Sequence, residues 1–369
     1  MGRTRSSQLL KDAEIAIRRA FIRWLSSRSE PEQPGLPLEL GETPTILFLR
    51  QDRLGDAIIT TPLLVAMRRR YPHAKFIVLL GENNKDIAPL LPIEAEIVIY
   101  RKRPLEDIEM LRKLRRRTID VVVDLMDNPS ATSSMLIAAI GARYSVGVEK
   151  DNAPVYNIRV PLIDRGKYHI TRRIAELLRP FGIDPETVDL KAVLRGLNVQ
   201  PVAGRFGLNI SAGHPDREML TSTFAGVAKA IREHEWANEV ILMFHPRDKA
   251  RAEAIAAEAG TGGVTLGPVT KSFREFAELL GTCKVVITPD TSAVHVCSAL
   301  GIPVVAAYMP MPPTLHYWTP VGVDFEMIVP NARDLTTLPP EPIISAIATL
   351  VGRLHHAVTT TTNSPAYVA

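Results

Sequence analysis

The sequence predicts an α/β protein of two Rossmann-like units behind a separate amphipathic helix, and three observations predict it. From residue 45 onward, short uninterrupted apolar runs alternate with helical periodicity, the pattern of a parallel sheet covered on both faces. The alternation lapses between Pro180 and Gly204 and then begins again. The length of 369 residues exceeds one ordinary α/β domain and suits two, each with its own core.

In the first half, Ile46–Leu49 reads as a buried strand, Ala57–Tyr71 as a helix, and Lys75–Leu80 and Glu96–Tyr100 as strands. Leu105–Arg117 reads as a helix, Asp120–Asp124 as a strand, and Ser130–Ile140 as a helix that Gly141 ends. A further helix spans Ile170–Pro180. In the second half, Phe206–Ile210, Glu239–Phe244, Lys284–Thr288 and Val304–Tyr308 are strands. Thr221–His234, Lys249–Gly260, Phe273–Leu280 and Ala293–Leu300 are the helices between and beside them, and Pro342–Leu354 closes the fold. Two such units with a hinge near 195–205 would form a cleft, where ligands of open sheets bind.

Ahead of this body, residues 1–29 carry seven basic side chains against two acidic ones. Leu10, Ala13, Ile17, Phe21 and Trp24 share one face of a helix near 8–26. Such a helix suits either an anionic membrane surface or the protein's own body. A linker rich in Pro, Gly and Glu follows. The expected organisation is thus 1–43 helix and linker, 44–200 first domain, 201–356 second domain, and 357–369 a Thr-rich disordered tail.

Composition narrows the function classes. With 46% hydrophobic and 23% charged residues the chain is globular, and its net charge of +4 favours anionic partners without choosing among them. No apolar run reaches the roughly 18 residues of a membrane span, and the N-terminus lacks a signal-peptide core, so a cytoplasmic protein is expected. Cys283 and Cys297 have no metal-site spacing. The basic run Arg112–Arg117 lacks the aromatic platform of a nucleic-acid binder and reads as a solvated helix face.

Three turns can carry chemistry. The first, Arg50-Gln-Asp-Arg-Leu-Gly-Asp56, leaves a strand and opens a helix. Asp56 there either caps amides or acts as a general base toward a sugar hydroxyl. The second, Thr288-Pro-Asp-Thr-Ser-Ala-Val-His295, again joins a strand to a helix. Asp290, Thr291, Ser292 and Ala293 would cradle a diphosphate at the helix start, with His295 either touching a phosphate oxygen or serving structure alone. The third, Asn209-Ile-Ser-Ala-Gly-His-Pro-Asp-Arg217, sets Ala212 and Gly213 in a small-residue turn and Arg217 beyond it, a fork for phosphate or a surface side chain. No GxGxxG or Walker sequence occurs, which argues against a dehydrogenase and a P-loop kinase. The absence of an Asp-X-Asp pair or a His cluster argues against a required metal or cofactor.

These motifs, with Met67-Arg-Arg-Arg-Tyr-Pro72, Tyr168-His-Ile-Thr-Arg-Arg173 and Ala299-Leu-Gly-Ile-Pro-Val-Val305, resemble the ADP-heptose:lipopolysaccharide heptosyltransferases, glycosyltransferase family 9, over about 45 to 350. The resemblance implies a GT-B fold, two Rossmann-like domains facing across a cleft. It further implies an inverting, metal-independent displacement on an ADP-activated heptose, with Asp56 at the position of the proposed base. Arg217 stands where the family has a phosphate-binding lysine, Lys271 where a backbone contact to adenine is expected, and Asp248 near the acid that holds the ribose. Ser292 replaces a glycine, and Asp248 a glutamate. A nucleotide-sugar donor and a lipid-linked glycan acceptor at the inner face of the membrane follow. A transferase using another nucleotide sugar, and a non-catalytic nucleotide- or glycan-binding relative, are the alternatives.

Overall fold

A computed structural model describes residues 34–260 and 262–362, with side chains through His356. The helix expected near 8–26 lies outside the described residues, as does the end of the tail. The chain divides into two compact units, residues 1–88 with 92–189, and 89–91 with 190–369. Residues 190–200, grouped by sequence with the first half, are thus counted with the second.

The first unit holds six parallel strands, β1 (Thr45–Arg50), β2 (Lys75–Gly81), β3 (Glu96–Tyr100), β4 (Val121–Asp124), β5 (Tyr144–Val148) and β6 (Ile158–Val160). They lie in the order β3-β2-β1-β4-β5-β6. β1 pairs with β2 from Thr45↔Lys75 and with β4 from Ile46↔Val121. Ile46, Leu47, Phe48 and Leu49 are fully buried, because a central strand covered on both faces leaves no polar side. Helix α1 (Leu54–Ile59) and helix α2 (Thr61–Arg70) follow β1. Sequence periodicity reads them as one helix, and Pro62 explains the break. It has no N–H to give to the Ile58 carbonyl, and the Thr61 hydroxyl donates there instead at 2.7 Å. Helices α3 (Pro104–Arg115) and α4 (Ala131–Ile140) pack against each other, and Leu114, Leu136, Ile137 and Ile140 join Leu47, Leu49, Ile77 and Leu79 in one core. Helix α5 (Ile170–Ala175) gives way to a 3-10 turn over Glu176–Phe181, shortening the helix read there, since Pro180 again lacks a donor.

The second unit repeats the plan with β7 (Arg205–Asn209), β8 (Glu239–Met243), β9 (Val264–Leu266), β10 (Val285–Pro289), β11 (Val304–Ala307) and β12 (Phe325–Ile328) in the order β12-β11-β10-β7-β8-β9. Its helices are α6 (Thr221–Glu233), α7 (Lys249–Ala259), α8 (Phe273–Gly281), α9 (Ser292–Leu300) and α10 (Pro340–Thr362). Gly301, at φ 75°, ends α9 in the left-handed region that a residue with a Cβ avoids. Helix α10 runs past the Leu354 expected from the pattern. Phe206, Leu208, Phe224, Ile231, Val240, Ile347 and Leu350 form the core of this unit.

Strands β5, β6, β9 and β12 go unread in the sequence, and they complete each sheet to six. In β5 the reason is physical. Tyr156 folds its ring back over Gly147, where a Cβ would stand 2.4 Å from the ring carbon Cζ. Gly147→Ala is therefore expected to destabilise the first unit by about 1–3 kcal/mol, the cost of overpacking a closed core, measured as a shift in denaturation midpoint.

Candidate functional site

Each sheet has one point where the strand order reverses, between β1 and β4 in the first unit and between β7 and β10 in the second. Loops leaving neighbouring strands there diverge to opposite faces and open a crevice at the carboxyl edge. The three turns singled out in the sequence lie at these two places. Arg50–Asp56 follows β1, Ser211–Arg217 follows β7, and Asp290–Ala293 follows β10.

In the first unit Asp56 is the third residue of α1, and the cap position is held by Arg53 in an extended conformation. Asp56 is 6% exposed. Its carboxylate lies 3.3 Å from Nη2 of Arg50. Burial raises its pKa from the ordinary 3.8 to about 6; the charge of Arg50 opposes that rise and the charge of Asp52 adds to it. Desolvation wins because Arg50 is shared. Its Nε donates to the Asp56 carbonyl at 2.9 Å, and Nη1 to the Leu125 carbonyl at 2.7 Å. Asp52 Oδ1 stands 3.4 Å from Nε, close enough to attract but not aligned as a hydrogen bond. Behind this turn Asn84 donates to the Arg50 carbonyl at 2.7 Å and accepts from the Gly81 N–H at 2.8 Å, tying β1 to the loop after β2.

A second polar layer lies beside it. Asp124, fully buried at the end of β4, takes Lys150 Nζ at 3.1 Å and the Tyr156 hydroxyl at 2.5 Å. Lys150 also donates to the Met126 carbonyl. Farther along, Arg173 meets Asp127 at 2.9 Å.

In the second unit Asn209, at the end of β7, donates to the Thr288 hydroxyl at 2.9 Å and to the Thr291 hydroxyl at 3.3 Å across the switch point. Thr291 caps α9, its Oγ1 accepting from the Ala293 N–H at 3.3 Å. Arg217 reaches across from the other loop. Its Nη1 donates to the Asp290 carbonyl at 2.7 Å and lies 3.1 Å from the Asp290 carboxylate. Arg217 is thus held on the crevice and its charge is balanced by Asp290. Tyr308, buried just beyond β11, donates its hydroxyl to the Trp318 carbonyl at 3.1 Å. Burial raises its pKa, with the charge of Asp290 adding to the shift and that of Arg217 opposing it.

Most sequence-selected residues gather here. Ser292 is partly exposed in the first turn of α9, Ala293 is buried, and His295 is buried one turn in. The Ala212 carbonyl accepts from Arg247 at 2.8 Å, and Gly213 has open space where a Cβ would stand. Asp248 accepts from the Ser211 hydroxyl at 2.6 Å, which ties it to the same crevice. Lys271 is apart, exposed on the loop after the edge strand β9. Its amide goes to Glu275 at 2.7 Å, so a backbone contact to a base there must use the carbonyl. Arg50, Asn84, Asn209 and Tyr308 carry the geometry without having been singled out. Arg50 and Asn209 had a signal, each as the first residue of its turn.

No three His, Cys, Asp or Glu side chains among the described residues group as a metal site would. No helix among the described residues is long and apolar enough to cross a membrane.

Comparison with known proteins agrees with this arrangement. The model of glycosyltransferase family 9 (heptosyltransferase) matches residues 108–333. Lipopolysaccharide heptosyltransferase 3 of Escherichia coli is 22% identical over 338 residues, covering 80% of this chain and 96% of that one. A glycosyl transferase family 9 structure from Veillonella parvula superposes with a TM-score of 0.71 at 19% identity, over 86% of this chain and 99% of that one. Escherichia coli heptosyltransferase WaaC with ADP gives 0.67 at 17%, over 83% and 99%. The fold is that of the GT-B heptosyltransferases, and with more than half its length matched the chain belongs to glycosyltransferase family 9, the heptosyltransferases.

Proposed function

We propose that this chain is an inverting transferase that moves a heptose from ADP-heptose to a lipopolysaccharide core or related surface-glycan acceptor. The observation that carries the reading is the buried Asp56 carboxylate, with a pKa near 6, at the switch point of a family 9 fold. At neutral pH it is ionised and still basic enough to take a proton. In the reaction Asp56 removes the acceptor hydroxyl proton as that oxygen attacks the anomeric carbon. The bond from that carbon to the diphosphate breaks, and ADP leaves with the electron pair. The start of α9 at Asp290, Thr291, Ser292 and Ala293, with Arg217, stabilises the charge on the leaving group, so no metal is needed. Ala212, Gly213 and His295 line the phosphates, Asp248 takes the ribose, and Lys271 the adenine. Support comes from relatives solved with ADP and with ADP-2-deoxy-2-fluoro heptose. Residues 44–200 serve the acceptor and 201–356 the donor, on the cytoplasmic face of the membrane, with residues 8–26 touching lipid.

The test is a donor screen by mass spectrometry in buffer containing EDTA. ADP-heptose giving product with a heptose-deficient core acceptor is the expected result. The Arg217–Asp290 pair and the Ser292 side chain favour a second reading, another nucleotide sugar, which the same screen identifies; binding without turnover on any donor marks a non-catalytic relative. Arg217→Met is expected to raise the donor KM about 10- to 100-fold, the loss of a hydrogen bond to a charged group, read by steady-state kinetics.

A further inference from the structure

The outward face of α3 takes no part in either crevice, and its make-up is unusual. Leu105 is 85% exposed and Ile108 is 45% exposed. At about 100° per residue, Leu105, Ile108, Arg112, Arg115 and Arg116 fall within one arc of roughly 100°, opposite the buried Asp107 and Leu114. The apolar pair occupies the amino-terminal half of this stripe and the arginines the carboxyl-terminal half. Residues 101–117 hold eight basic side chains against three acidic ones, an excess of five in a chain whose net charge is +4. Ion pairs with acids consume Arg101, Arg103, Lys113 and Arg117. Among the described residues, no carboxylate pairs with Lys102, Arg112, Arg115 or Arg116.

We propose that this face of α3 is a docking surface for an anionic lipid bilayer, with Leu105 and Ile108 entering the headgroup region and Lys102, Arg112, Arg115 and Arg116 meeting lipid phosphates. Charge complementarity names the partner's sign, and the exposed aliphatic pair distinguishes a lipid surface from a nucleic acid. Helix α3 leaves the carboxyl edge of the first sheet, the edge that carries Asp56, so docking sets that edge beside the bilayer. The proposal is independent of the donor and of the base, and it adds a contact to that of residues 8–26.

The experiment is vesicle co-sedimentation of the full-length chain with phosphatidylcholine alone or mixed with phosphatidylglycerol. The expected result is binding to the anionic vesicles that weakens with salt. Arg112→Gln with Arg115→Gln should weaken it about 25-fold, roughly fivefold per cation. Leu105→Ser with Ile108→Ser should weaken it several-fold, and Leu105→Trp should show a blue shift on vesicle addition. All these positions are exposed, and unchanged melting curves will verify the fold. Equal binding of both double variants and wild type would overturn the proposal, since the N-terminal segment would then suffice. So would binding indifferent to phosphatidylglycerol, or arginine variants that lose only oligonucleotide binding.

Discussion

Asp56→Asn is expected to lower kcat by about 10²- to 10⁴-fold, the usual contribution of a positioned general base, while leaving the donor Kd unchanged. The substitution keeps the shape of the side chain and removes only its ability to take a proton. Arg50 should stay in place, because its Nε and Nη1 are held by the Asp56 and Leu125 carbonyls, which the variant retains. In the wild type kcat/KM should rise with pH through about 6, where the carboxylate of the free protein loses its proton. That limb should vanish in the variant. Stability provides a second readout of opposite sign. Between pH 3.8 and about 6 the folded state keeps a proton that the unfolded state has released, so stability falls as pH rises across this window. Above it the cost is fully present. Asp56→Asn should therefore be more stable than the wild type at pH 7 to 8, by on the order of 3 kcal/mol, and the gain should disappear below pH 4. Full activity in the variant would remove Asp56 from the mechanism.

What the sequence shows of this site follows from how local each feature is. The turns at Asp56 and Asp290–His295 are contiguous runs between a strand and a helix, so chain order alone sets them at carboxyl edges. Their partners are not local. Arg50 is tied to Leu125 across 75 residues, and Asn209 to Thr288 across 79. No periodicity encodes those contacts. The strands follow the same logic: β1, β2, β8 and β10 are buried apolar runs, whereas β6 and β9 are three residues each, too short for a pattern against their flanking loops. Lys150 shows the limit most plainly. It sits in Glu149-Lys-Asp-Asn152, which reads as a solvated turn, yet its side chain is 1% exposed.

That buried lysine carries the largest stability effect expected. Asp124→Ala should destabilise the first unit by about 3–5 kcal/mol, because it strands an ammonium with no carboxylate, leaving it the Met126 carbonyl and the Tyr156 ring at 5.5 Å. Lys150→Met should cost less. The Asp124 carboxylate would keep the Tyr156 hydroxyl at 2.5 Å and the Met126 N–H at 3.2 Å, and two donors offset much of what a lone charge loses. The double variant Asp124→Ala with Lys150→Met leaves no charge behind and should cost less than the sum of the single variants, a coupling of about 1–3 kcal/mol. Two units can unfold separately, so the readout is hydrogen exchange of β4 and β5 amides, which reports the first unit alone. Wild-type protection in Asp124→Ala would show that water reaches Lys150. The effect should also reach the reaction, since Asp124 adjoins Leu125, whose carbonyl holds Arg50 and through it Asp56. A folded Asp124→Asn chain is expected to bind donor normally and turn over more slowly, separating this support of the base from the base itself.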